Sequence, residues 1–278
     1  MLAVLGLALL AGCSRPAPPP FAEREVENAL RVARVDFQAG RYDLAADQFE
    51  RALWLARQLD DAAAIGQAGS ERALSLLRAD RPEEAFAAAE ALADELALRP
   101  APVPPLLPLV AGAAALAQGD LVTAEARLRP VTAAGDPAAR GRAWYLLGLV
   151  ADGRGDVPAL QTAVAETAGA DRLELEARLD LVQGRPAQAL ERLAEVRAAR
   201  RDQADLDGLG EALALSGRAA AAMGAGPVAA DFYLRAARNA AGRERTARAT
   251  AWLDQAERLD GVALAAAIRE VRARLEDG

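Results

Sequence analysis

The 278-residue chain has no histidine and no lysine; all 33 of its basic side chains are arginine. Without imidazole there is no Ser-His-Asp or Cys-His catalysis and no imidazole-zinc site. Without lysine there is no Schiff-base chemistry and no P-loop. A single cysteine, Cys13, excludes internal disulfides, CxxC redox work and thiolate metal clusters. Aromatic residues make up only 4%, basic blocks are missing and the net charge is −7, so no nucleic-acid partner is expected. What remains is 53% hydrophobic, and about a quarter of the chain is alanine. That is the composition of helices packed closely through small residues.

Residues 1–12, MLAVLGLALLAG, are apolar without interruption. As a helix they would span about 18 Å, short of the roughly 20 residues a bilayer core needs, and they fit the apolar region of a signal peptide. Leu10-Ala11-Gly12-Cys13 resembles the bacterial lipobox. That resemblance implies lipidation of Cys13, cleavage just before it and, with Ser14 following, sorting to the outer membrane facing the periplasm. The next residues, Ser14-Arg15-Pro16-Ala17-Pro18-Pro19-Pro20, read as an extended linker. From Cys13 to Phe21 it would hold a domain about 25 Å from the lipid. Several acyl chains on one cysteine give stable anchoring where one is marginal. The other reading of residues 1–12 is an ordinary N-terminal helix.

Beyond Phe21 apolar residues recur at three and four, as in FAEREVENALRVARVDF, and period-two alternation is missing. Turn points at Gly40, Asp80, Gly119, Gly155, Gly184 and Gly224 are spaced by 40, 39, 36, 29 and 40 residues. Seven residues before each stands a small residue: Ala33, Ala73, Gly112, Gly148, Ala177 and Gly217. Five after stand Ala45, Ala85, Ala124, Leu160, Ala189 and Ala229. Facing small residues let paired helices approach to about 8 Å, while the larger residue a turn later fills the gap to the next pair.

Three stretches resemble the tetratricopeptide repeat. Gly40-Arg41-Tyr42-Asp43-Leu44-Ala45 with Phe49-Glu50-Arg51-Ala52-Leu53 is similar to its second helix, as are Ala229, Tyr233 and Ala236. Trp144-Tyr145-Leu146-Leu147-Gly148 is similar to its first-helix signature. The resemblance covers about residues 24–240 and implies an all-α fold, a right-handed superhelix (α-solenoid) of about six to seven helical hairpins. Most spacings here exceed the usual period of about 34 residues. The expected organisation is a signal peptide (1–12), a lipidated Cys plus Pro-rich linker (13–21), N-terminal hairpins (22–99), a Pro-rich break (100–108), further hairpins (109–242) and capping helices (243–278).

Other candidate chemistry is weak. Asp202-Gln203-Ala204-Asp205-Leu206-Asp207-Gly208 fails the calcium-loop register, because Gln203 takes the first ligand place and Ala214 the bidentate one. Gly224-Ala225-Gly226-Pro227 has no preceding strand and reads as a hairpin turn. Ser216-Gly217 lacks the upstream glycine of a nucleophile elbow. The pairs Glu83-Glu84 and Asp60-Asp61 sit on expected helix ends among 40 acidic residues. Arg197, Arg200 and Arg201 end a helix, where cations complement the dipole. Trp54, Trp144 and Trp252 read as core. No catalytic residue, metal or cofactor is expected.

In such arrays the first helix of each pair lines the concave groove. The resemblance places Arg34, Arg178 and Arg218 there, just after the small residues, with Tyr145 and Phe37 on the same faces. Spaced guanidiniums would clamp carboxylates or carbonyls of an extended peptide. The other reading is ordinary helix-stabilising i,i+4 pairing. The function that follows is a lipid-anchored scaffold binding a peptide or helix of an envelope protein, in complex assembly or stabilisation. Two alternatives stay open: an envelope enzyme or glycan-binding protein with a repeat domain, and a soluble cytoplasmic adaptor if residues 1–12 are no signal.

Overall fold

The structure is a computed structural model that describes residues 21–100, 102–133, 135–243, 245–259 and 264–276. Cys13 and the linker lie outside the described residues. Among those residues there are fourteen α-helices and no strand. In order they are α1 (Phe21–Gln38), α2 (Tyr42–Gln58), α3 (Ala62–Arg78), α4 (Pro82–Ala97), α5 (Leu106–Ala117), α6 (Leu121–Leu128) and α7 (Pro137–Arg154). Then come α8 (Val157–Glu166), α9 (Gly169–Val182), α10 (Pro186–Asp202), α11 (Leu206–Ala222), α12 (Gly226–Ala241), α13 (Thr246–Leu259) and α14 (Ala265–Glu276). Each helix packs on the next along the chain, giving an all-α solenoid of helical hairpins.

All six turn points adopt positive φ, from +57° at Asp80 to +79° at Gly40. Glycine tolerates that conformation freely; Asp80 is the one that must bear its cost, and it takes part in the contacts described below. The chain stops each helix there with a C-terminal backbone cap, as where the Arg41 amide donates to the Asp36 carbonyl at 3.0 Å. It restarts with prolines at the beginning of α4, α7 and α10 or with aspartate N-caps such as Asp61 and Asp156.

The small-residue lattice is the contact surface. Ala33, Ala73 and Ala177, and the residues five after each turn, are completely buried. At Gly148 a methyl group would lie 2.6 Å from the Leu175 side chain, and at Gly112 2.5 Å from Leu128. Those two glycines are therefore required by close helix approach, and larger residues would overpack the seam. Trp54 departs from the sequence reading: it is 57% exposed on the outside of α2, because the pairing face of that helix is filled by Ala45, Phe49 and Ala52.

The Pro-rich segment at 100–108 ends α4 and starts α5 without separating cores. Leu107, Val110 and Ala111 join the cluster built on Val26, Phe49, Ile65 and Leu96. Pro104 seats against Gly66 of α3. Leu109, one residue from Val110, belongs to the next cluster. Neighbouring hairpins are also stitched by arginine–carboxylate pairs about one repeat apart in sequence. Arg34–Glu71, Arg127–Glu90 and Arg248–Glu211 are each 37 residues apart, and Arg57–Glu95 is 38. No helix among the described residues is long and apolar enough to cross a membrane.

Candidate functional site

The solenoid closes on itself. Arg78, at the end of α3, donates to Asp207 at the start of α11 at 2.7 Å, across 129 residues of sequence. Arg243 donates to the Tyr42 hydroxyl at 3.0 Å, and Arg245 to Asp80 at 3.2 Å and to Asp207 at 3.3 Å. The Arg245 guanidinium also lies 5.0 Å from the centre of the Tyr42 ring. Burial works against the Asp207 charge, but Arg245, Arg243 and Arg78 outweigh it and hold the carboxyl below the ordinary aspartate range.

Inside this ring is a cavity of about 480 Å³. Its lining comes mainly from the first helix of successive hairpins, namely α3, α5, α7, α9, α11 and α13. One wall is apolar, with Leu74, Leu77, Leu109, Val110, Leu146 and Leu149. The opposite wall is charged, with Arg178, Arg200, Asp207, Glu211, Arg245 and Arg248. The size suits a few side chains or the end of a peptide rather than a long helix.

The charged wall is centred on Glu174, a fully buried residue of α9. It accepts from the Tyr145 hydroxyl at 2.9 Å, from Arg178 at 2.9 Å and from Arg200 at 3.3 Å. Arg178 also donates to Asp152 at 2.9 Å, and Arg218 forks onto both oxygens of Asp152 at 3.1 and 3.0 Å. Arg200 reaches Asp171 and Asp205 as well, at 2.5 and 3.0 Å. Burial opposes the charge of Arg178, yet Glu174, Tyr145 and Asp152 overcome it and keep the guanidinium firmly protonated. Burial, reinforced by Glu174, pushes the Tyr145 phenol well above its usual value. Glu211 is deep in the ring but faces the cavity with 38% of its side chain accessible. Its burial raises the carboxyl above the ordinary glutamate range, against the pull of Arg248 and Arg178.

Of the residues singled out in the sequence, Tyr145 and Arg178 meet on the cavity wall and Arg218 joins them through Asp152. Arg34 and Phe37 lie apart in α1. Arg34 forms a fork with Glu71 at 2.9 and 2.5 Å, and Phe37 packs edge-on against Tyr42 with ring centres 5.1 Å apart. The sequence reading missed Glu174, Asp152, Glu211 and the pairing of Arg78, Arg243 and Arg245 with Asp207, Tyr42 and Asp80 across the seam. Only Glu174 carried a local signal, standing four residues before Arg178 on an apolar helix face. It also missed Arg142, whose guanidinium lies 4.8 Å above the Tyr145 ring at the cavity. Among the described residues there is no group of side chains arranged to hold a metal ion.

No protein family's sequence profile matches the chain, and no curated protein matches it. Solved structures do. A tetratricopeptide repeat protein from Parabacteroides merdae is similar over 91% of this chain and 99% of its own, with 11% sequence identity and a TM-score of 0.52. The TPR2AB domain of yeast Sti1, solved as a pHSP90 complex, aligns over 91% of this chain and 98% of its own, with 15% identity and a TM-score of 0.38. The fold of this chain is tetratricopeptide-repeat-like.

Proposed function

We propose that the protein is a lipid-anchored interaction scaffold that receives a short segment of another envelope protein in the cavity of its closed ring. The observation that carries this reading is the cavity itself, with an apolar wall facing an arginine-rich one. Leucines of α3, α5 and α7 suit apolar side chains of a bound segment. Arg142, which has no carboxylate within ion-pair distance among the described residues, supplies an unspent cation for an acidic group or a carbonyl. Binding here is an equilibrium process and needs no catalytic group. The anchor rests on the sequence of residues 1–13, and it would raise the local concentration of the scaffold at the membrane.

The test is in-cell photo-crosslinking with a reactive residue at Leu109, inside the ring, or at Val122, an exposed position. Both are compared in the parent and in Cys13→Ala. The expected result is a defined set of envelope proteins captured from position 109, absent from position 122 and diminished by Cys13→Ala. Equal capture from both positions would remove the cavity from the reading. Capture of cytoplasmic proteins unaffected by Cys13→Ala would remove the anchor.

A further inference from the structure

Among the described residues, every arginine that is buried or partly buried has a carboxylate within ion-pair distance, with one exception. The exception is Arg197 of α10. It donates to the Ser216 hydroxyl of α11, a neutral partner that is itself completely buried. Its guanidinium lies 5.0 Å from the centre of the Phe232 ring on α12, and the guanidinium of Arg235 lies 5.3 Å from the same ring. Arg235 is held only by a long, exposed contact to Asp231 at 3.5 Å. Burial first, then Arg235 and Arg201, the latter one turn beyond on α10, disfavour the protonated form of Arg197.

A ring face attracts a cation but does not neutralise it, and here two cations share one ring. The chain as a whole is acidic, at −7, so three neighbouring arginines with only Asp231 within ion-pair distance among the described residues are a local reversal of its field. The cluster lies on the second helices of the fifth and sixth hairpins, away from the cavity. Three guanidinium forks from two helices present more donors than one carboxylate can fill. A tetrahedral phosphoryl group offers oxygens to several forks at once. We propose that Arg197, Arg201 and Arg235, over Phe232, form a phosphoryl-anion site on the outer face of the solenoid. Free phosphate and the phosphate of an anionic phospholipid headgroup share that chemistry.

The experiment uses the full chain carrying Cys13→Ala, compared with the same chain bearing Arg197→Met or the milder, exposed Arg235→Gln. Thermal unfolding is followed by circular dichroism, with millimolar inorganic phosphate replacing chloride at constant ionic strength. In parallel, flotation is measured with phosphatidylglycerol and with phosphatidylcholine vesicles. Ligand binding to the folded state raises the midpoint. If free phosphate is the source, phosphate raises the parent's midpoint, Arg235→Gln reduces the shift and Arg197→Met abolishes it. If a headgroup is the source, the parent floats with phosphatidylglycerol more than Arg197→Met does, and phosphatidylcholine shows no such difference. In phosphate-free buffer Arg197→Met is at least as stable as the parent, because it removes an unneutralised charge. The proposal is overturned if neither ligand distinguishes parent from Arg197→Met. It is equally overturned if Arg197→Met destabilises the phosphate-free protein, which would make Arg197 an ordinary structural residue.

Discussion

The Glu174 network and the Asp207 seam use the same arginine–carboxylate chemistry and do different things with it. Glu174 and its partners sit on α7, α9 and α10, helices that already bury Leu146, Leu175 and Leu193. Its side chain is 1% exposed, and that of Asp152 6%. The seam joins residues 129 to 201 positions apart, on helices that are not packing neighbours, and its Asp207 and Asp80 side chains are 15% and 16% exposed. Apolar packing would hold the first set of helices together without the charges. At the seam the arginine contacts to Asp207, Asp80 and Tyr42 close the ring, so there the charges set the shape. A buried pair is expensive to break because it leaves a naked charge, whereas a half-wet pair is cheaper to break yet decides whether the solenoid is closed.

The largest effect is expected at Glu174. Replacing it by alanine leaves the Tyr145 hydroxyl and part of two guanidiniums without their acceptor in a dry wall. The expected cost is about 3–5 kcal/mol of stability in urea unfolding, with the overall dimensions of the folded protein unchanged. Asp207→Asn should cost less, about 1.5–3 kcal/mol, because Arg78 and Arg243 keep some access to water and the buried Arg245 retains Asp80 as a partner. Its signature is dimensional: the ring opens and the radius of gyration measured by X-ray scattering increases. High salt should mimic Asp207→Asn more than Glu174→Ala, since screening reaches the accessible seam first. If Asp207→Asn leaves the scattering curve unchanged, the distinction between the two networks is wrong.

How much of this was legible in the sequence follows from the range over which each feature is encoded. The six turn points and the small residues around them are local signals, because φ > 0 and a missing Cβ are demands on single residues. Turns between one hairpin and the next were less visible, since Asp60 and Ala204 adopt φ of +49° and +54° with no glycine to mark them. Glu174 was within reach as the i−4 partner of Arg178. Arg34–Glu71 and its counterparts stand one repeat apart, so a repeat-aware reading finds them. The seam had no local signal at all: Asp207 looked like part of a failed calcium loop, and Arg245 fell unremarked at the start of the expected capping helices. Their pairing depends on the accumulated curvature of six hairpins, a property of no single window. Arg200 and Arg197 illustrate the same limit. Both fit the dipole of the α10 C-terminus, yet one is buried in the Glu174 network and the other is left without a carboxylate.

Acid sharpens the contrast. Asp152 and Asp207 are both held below the ordinary aspartate value by their arginines. The stability they contribute is complete above the unfolded-state value and drains away as the pH falls through their folded-state values, below about pH 4. Glu211 has the opposite sign. Its raised folded-state value means that it favours folding when protonated and withdraws that support as the pH rises through it. Glu211→Gln is therefore expected to be more stable than the parent at neutral pH and to converge with it in acid. Asp207→Asn should remove part of the acid loss and leave the remainder to Asp152. Unfolding midpoints of the three proteins across pH 3 to 8 check both statements.

The smallest effect, and the one that tests the network most finely, is Tyr145→Phe. The hydroxyl makes one hydrogen bond, to Glu174 at 2.9 Å, while the ring keeps its place between Arg142 and the apolar wall. Glu174 retains two arginine partners, so the loss should be about 0.5–1.5 kcal/mol. Arg200→Met, which removes a partner of Asp171, Asp205 and Glu174 together, should cost more. In the double variant the two losses should not add, because both act on the same carboxylate. At the seam the matching variant is Tyr42→Phe, which removes only the acceptor for Arg243. Coupling between Tyr145 and Arg200 with none between Tyr42 and Arg200 would mark two independent networks. Coupling of Tyr42 to Arg200 would instead mean that the ring and its charged wall unfold as one unit.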